Sequence, residues 1–287
     1  NIATKGITSV TLGTSNFVAG STAGDSIVSG GNYNTLIGDE AGTAITTGTH
    51  NVALGFSALD ANTTGSGNHA IGTSSLTNNT TGANNTSVGS GSLASNTTAS
   101  SNTAVGYTAL LANTTGTQNT AIGTQAMAVN TTGANNVALG FLAMLNGTTA
   151  SDNIAVGVNA LYTNTTGTSN TALGRSALRY NTTASQNTAV GYNSLLANTT
   201  GASNTAVGMN ALGANTTANH NTAVGYSALT TNTTGTRNTA SGFDSLLSNT
   251  TGIRNSAFGA YSLYSNTTGG YNTSVGDASL YNNTTGS

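Results

Sequence analysis

The sequence predicts an all-β fold, a β-solenoid (a parallel β-helix or β-roll) built from 17-residue rungs. Three observations predict it. From Asn34 a 17-residue unit recurs fifteen times without insertion or deletion, each copy opening on asparagine: Asn34, Asn51, Asn68 and onward to Asn272. A short fixed period is the signature of supersecondary units that bury their apolar faces only by stacking. Proline is absent from all 287 residues, as expected where every backbone N–H joins a ladder. Finally, all but two copies offer two large apolar side chains, at positions 4 and 9. Burying them supplies about 1.5–3 kcal/mol each, whereas ordering the chain costs roughly 1.5 kcal/mol per residue. No copy folds alone, and neighbouring rungs must supply the rest.

The elements follow in chain order. Residues 1–33 form a degenerate lead-in whose two worn copies open at Asn1 and Asn16 and lack the later NTT segment. They are expected to be atypical N-terminal rungs or a cap. Residues 34–287 are expected to form one solenoid of fifteen repeats. Within a copy, position 1 is always Asn and position 5 always Gly. Asn102, Gly106, Asn187 and Gly191 exemplify them as structural corners, the asparagine as an internal amide ladder and the glycine as a corner or close backbone approach. Position 3 is Ala or Ser except at Leu36, and position 8 is always Ala or Ser. Position 4 is aliphatic in most copies, and position 9 is Leu or Met in all but the first, which has Gly42. Positions 6, 7, 10 and 11 vary freely. The restricted set is therefore expected inside and the variable set in solvent, with short strands over positions 2–4 and 7–10. Helices are disfavoured by the Thr, Asn and Gly content.

Positions 12–14 spell NTT in thirteen copies, the acceptor pattern for N-linked glycans and hence an expected outward turn. The candidate acceptors are Asn62, Asn79, Asn96, Asn113, Asn130, Asn146, Asn164, Asn181, Asn198, Asn215, Asn232, Asn249, Asn266 and Asn283. Asn146 belongs to a copy in which the asparagine has slipped one place, giving Asn146-Gly147-Thr148. The competing expectation is a purely structural corner in which stacked asparagine amides form a ladder. Position 15 is Gly or Ala, so smallness matters there more than positive φ.

Charged residues make up only 4% of the chain, net charge is −2, and no basic stripe exists. Nucleic acid and anionic membranes are poor partners for such a surface, and no apolar run is long enough to span a bilayer. Without cysteine there are no disulfides and no thiolate metal sites. His50 and His220 share position 17, ten repeats apart, while His69 sits at position 2, so the repeat assembles no histidine site. No nucleophile, metal or cofactor constellation emerges, and catalysis is not expected; covalent N-linked glycans are the one candidate non-protein group. Tyr107, Tyr192 and Tyr226 share position 6 with Phe56, Phe141 and Phe243, a partial aromatic stripe for packing or sugar stacking.

The half-motif N-x-A-[VIL]-G-x-x-[AS] resembles the head repeats of trimeric autotransporter adhesins. The full unit, NTAxGxxAL-x-x-NTTG, is similar to 17-residue repeats of fibre-like surface proteins of viruses, phages and microbes. The resemblance covers Asn34 to Ser287 and implies β-rolls that associate as trimers in an extracellular fibre or adhesin shaft. This unit departs from the adhesin heads in its greater length and its added NTT segment. The expected function is thus a structural appendage shaft at a cell or virion surface, glycosylated on its NTT sequences and self-associating as a homo-oligomer or an end-to-end fibre. Two alternatives are an adhesin that touches host-surface receptors or glycans through the aromatic stripe, and an ice-binding solenoid using threonine rows.

Overall fold

The computed structural model describes residues 12–287. The first worn copy, from Asn1, lies largely outside them. All secondary structure is β: sixteen three-residue strands, β1 (Phe17–Ala19), β2 (Thr35–Ile37) and so on to β16 (Thr273–Val275), one per rung. The chain divides into two compact blocks, one ending at Leu142 and the other spanning Ala143–Ser287. In the first, β1 to β8 (Val137–Leu139) pair in sequence order, all parallel. In the second, β9 (Ile154–Val156) to β16 do the same. Register is strict: Thr205 faces Thr222, Ala206 faces Ala223 and Val207 faces Val224. Each block is a parallel β-solenoid.

The strand covers positions 2–4 as expected, but its pleat reverses half of the expected interior. Side chains alternate across a strand, and it is position 3 that points in: Ala104, Ala121, Ala189 and Ala206 are fully buried. Position 4 therefore points out, and Leu54 (44% exposed), Leu173 (45%) and Phe258 (43%) stand at the surface. The restricted aliphatic at position 4 is not core. The small residue beside it is.

Positions 7–10 were expected as a second strand, and they form a run of turns. Positions 7 and 9 both adopt left-handed backbone, as at Thr108 (φ 49°) and Leu110 (φ 53°), Asn210 (57°) and Leu212 (51°). Such angles cost about 1–2 kcal/mol per non-glycine residue. They are held by bonds to neighbouring rungs: Asn210 N–H donates to Tyr192 O at 3.0 Å and Leu212 N–H to Ala228 O at 3.0 Å. The two left-handed residues of a rung thus bond in opposite axial directions. The Leu or Met at position 9 is fully buried from Leu59 to Leu263, as expected, and Leu280 in the last rung is exposed.

The residue at position 5 has two reasons to be glycine. Its φ runs near +130°, and a Cβ on Gly208 would lie 2.3 Å from Gly225 O and 2.6 Å from its carbonyl carbon. Corner and close approach coincide at this residue.

The early rungs use a different filling. In the first copy Leu36 occupies position 3 and Gly42 position 9, and a Cβ on Gly42 would meet Leu36 Cδ2 at 2.9 Å. The leucine fills from the strand the space other rungs fill from the turn. Val18 and Gly24 repeat the exchange one rung earlier, with Ile27 and Ile45 buried where later rungs carry the position-12 asparagine. The worn copy from Asn16 is a true rung: Asn34 N–H donates to Asn16 Oδ1 at 2.8 Å.

Candidate functional site: two amide ladders and an exposed strand face

The invariant asparagine at position 1 is buried from Asn34 to Asn255. Within each block its backbone N–H reaches the Oδ1 of the asparagine one rung earlier, as from Asn51 to Asn34 (3.0 Å) and Asn187 to Asn170 (3.0 Å). Its Nδ2 donates to the carbonyl at position 15 of its own copy: Asn102 to Gly116 O at 2.9 Å, Asn187 to Gly201 O at 2.9 Å. This is the internal amide ladder expected of Asn102 and Asn187.

The asparagines of the NTT segments lie in a second ladder. Asn62, Asn79, Asn96, Asn113, Asn130, Asn164, Asn181, Asn198, Asn215, Asn232, Asn249 and Asn266 are all 0% exposed. Nδ2 of Asn198 donates to Asn181 Oδ1 (2.9 Å) in the rung before and to Gly201 O (2.8 Å) in its own copy. The position-15 carbonyl thus accepts from two asparagines at once, one from each ladder, which uses both its lone pairs. The expectation of an outward NTT edge holds for its threonines and fails for its asparagines, because the tripeptide folds its first side chain inward onto that carbonyl. Nδ2, the atom a glycan would occupy, is buried and committed to two bonds, except at Asn62 and Asn164, which follow Ile45 and Gly147 and keep the carbonyl bond alone.

Two acceptors differ. Asn283, in the last rung, is half-buried but keeps the ladder bond to Asn266 Oδ1 at 3.1 Å. Asn146, at position 11, is half-buried and stands one residue before the ladder position, which Gly147 occupies. A Cβ on Gly147 would meet Met144 Cε at 2.9 Å, so the flexible methionine fills the space of the missing amide. In the first block the ladder ends at Asn130, whose buried Oδ1 has no hydrogen-bond partner.

The threonines behave as a pair. At position 13 the hydroxyl donates to the position-13 carbonyl of the next rung, as from Thr199 to Thr216 O at 3.1 Å. Position 14 is exposed in every copy. Position 15 is buried in nearly all of them, which leaves positions 14 and 16 as neighbours on the outside.

The serines at position 3 come in matched sets. Where Ser replaces Ala at position 3, serines stand at position 8 of the rung before and of its own rung. Ser75 donates to Ser87 Oγ at 2.8 Å, Ser87 lies 2.6 Å from Ser92 Oγ, and Ser262 donates to Ser274 Oγ at 2.8 Å. Buried hydroxyls are thereby satisfied.

Outside, the position-6 aromatics are exposed. Tyr226 and Phe243 stack on each other at 5.1 Å and 8°, and Tyr264 and Tyr281, at position 10, at 4.8 Å and 4°. Rings stacked along the rungs cover one another's faces and offer solvent their edges. His50 stacks on Tyr33 at 4.9 Å. Desolvation raises the Asp244 carboxyl above its ordinary range. Among the described residues no three His, Asp or Glu side chains group to hold a metal, and no helix could cross a membrane.

The sequence missed the shared position-15 carbonyl, and the signal was present: a small residue always follows NTT and precedes the next Asn by three places. Compared with known protein families, curated proteins and solved structures, the chain matches none.

Proposed function

We propose that this chain is a structural module, a stretch of shaft in an extracellular fibre or surface appendage. One observation carries the reading: its most regularly repeated polar groups, the asparagines at position 1 of every copy and at position 12 of thirteen, are spent on bonds to neighbouring rungs and to the backbone. The repeated chemistry makes length. Imaging and diffraction of the natural material test this. The expected result is fibres with an axial repeat of about 4.7–4.9 Å; the chain found only in discrete particles overturns it.

The same ladders argue against a glycan coat on the NTT asparagines, because a sugar on Nδ2 removes a donor from a buried carbonyl and forces the chain outward. The expected intact mass is that of the bare 28.1 kDa chain. Glycans mapped to Asn113 or Asn198 would sink this part.

A second reading, ice binding, has one observation in its favour. Burial of position 15 places the threonine of position 14 beside position 16, where Thr, Ser and Ala predominate, so each rung offers two outward columns in place of one. Thermal hysteresis of the purified chain, lost on Thr200→Lys with Thr217→Lys, would support it, and its absence would remove it. The adhesin reading loses Tyr226 and Phe243, whose stacked faces a sugar would need, and keeps Phe56, Tyr107, Phe141 and Tyr192.

A further inference from the structure

The strand face of each rung carries a contradiction. Position 4 is restricted across the repeat as an interior position is, aliphatic in all copies but those with Ser241 and Phe258. Yet it points to solvent, and the freely varying position 10 lies no further out than it does. Beside it, past the glycine at position 5, position 6 adds Tyr192, Met209, Tyr226 and Phe243, all among the exposed large apolar side chains. Stacking on its counterpart one rung away favours a β-branched residue there, but threonine would serve that purpose and never occupies position 4.

We infer that the outward strand face at positions 4 and 6 is an interface, and that its occupant is a second copy of this chain. Three observations select that occupant. The restriction recurs once per rung in strict register, and only a partner with the same rung period meets each of those side chains equivalently. A second solenoid of this sequence has that period. The face is nearly free of charge; in the second block Arg175 and Asp277 are its charged members at position 6. Nucleic acid and anionic lipid would both need a charged surface. The area also suffices. An aromatic side chain presents ~150–250 Å² in full, and those at position 6 are near half exposed. With the aliphatics, the second block offers on the order of 700 Å², against about 800 Å² per partner in a standard stable interface and a few hundred in the largest patch of an ordinary monomer.

This deepens the shaft reading by naming its partner, and rests on it in taking assembly to be the chain's work. The two fail separately: fibre imaging tests the shaft, and the mass of the purified chain in solution tests the interface. Sedimentation of the full chain at tens of micromolar is expected to give a multiple of 28.1 kDa. Replacing Leu173, Val207 and Val224 together by lysine is expected to return the mass to that of one chain, with an unchanged circular dichroism spectrum. The absence of native cysteine allows a second test that leaves the face nearly intact. Val207→Cys is expected to form a disulfide-linked dimer under mild oxidation at least tenfold more than Thr200→Cys, which sits on the threonine column. A monomeric wild type, a lysine variant that stays associated, or equal crosslinking at the two positions overturns the inference.

Discussion

Positions 4 and 12 of the repeat are a matched pair of reversals. The aliphatic at position 4 looks like core and stands outside; the asparagine at position 12 looks like a surface acceptor and is sealed inside. Both are nearly fixed across the copies, so repetition alone does not report depth. What it reports is registry. A side chain that must meet its own counterpart one rung away is fixed wherever it sits, because the partner is always the same residue. Asn198 meets Asn181 through 2.9 Å of hydrogen bond; Val207 meets Val190 and Val224 across a parallel ladder.

The largest effect expected on the inner side of this comparison comes from the glycine at position 5. Gly208→Ala places a methyl within 2.3 Å of Gly225 O at a φ of +135°, and neither the backbone nor its neighbour can give. The loss should exceed about 4 kcal/mol, the top of the usual range for single substitutions, and denaturant unfolding measures it. Gly201→Ala at position 15 is the control. Its methyl also starts too close to Ala218 O and Asn198 Oδ1, but Ala99, Ala150, Ala184 and Ala218 already stand at that position. The second change should cost well under half the first. Equal losses would mean that crowding, not the left-handed corner, sets the demand.

Next comes the ladder itself. Asn198→Ala strips a donor from Gly201 O and Asn181 Oδ1 and an acceptor from Asn215 Nδ2. Gly201 O keeps Asn187 and Asn215 Nδ2 keeps Ala218 O. Asn181 Oδ1 is therefore left unpaired at about 1–3 kcal/mol and the other two bonds are lost at about 1 kcal/mol each, a total of about 3–4 kcal/mol in urea. Asn198→Asp should be worse at neutral pH, since a buried carboxylate would face two oxygens. Its folded pKa would be raised above the unfolded value, so stability should return as pH falls through the folded value and be fully recovered below the ordinary carboxylate range. A fixed deficit at all pH values would show that the site opens to water.

Most of the architecture was legible because it depends on backbone register. Rung length, the parallel stack, the position-1 ladder, the glycine corner and the buried position 9 all follow from period and residue type. The depth of positions 4 and 12 was not, for a local reason in each case. A three-residue strand hides its pleat phase. In Thr205–Val207 both Ala206 and Val207 are apolar, and only the Leu36–Gly42 exchange reveals that position 3 faces the leucine of position 9. The NTT corner depends on a side-chain-to-carbonyl bond three residues on, such as Asn113 to Gly116 O at 2.9 Å. The strand expected at 7–10 failed because leucine is a poor advertisement for left-handed backbone.

On the outer side of the comparison, Val207→Ser should leave the isolated chain almost unchanged. Its side chain is already 36% exposed, and surface changes away from special features stay within about ±0.5 kcal/mol. Ala223→Ser, in the next rung and fully buried, should cost more, because Ala211 and Ala228 stand where position-8 serines accompany Ser87 and Ser274. A melting point at low protein concentration distinguishes them. The order reversed would mean that the pleat runs the other way.

The smallest effect is expected at Asp244, which occupies a left-handed position 7 (φ 53°) beside the aromatic stripe. Desolvation raises its folded pKa above the unfolded value, so the folded state binds the proton more tightly than the unfolded state does. Stability contributed by that proton is present below the unfolded pKa and is lost as pH rises through the folded one. Asp244→Asn keeps the shape and the tolerance for left-handed backbone while removing the charge. It should raise the melting point slightly at pH 7 and change nothing in acid, where the native carboxyl is already neutral. A gain of the same size at both pH values would assign the effect to backbone preference and leave the carboxyl without a part in it.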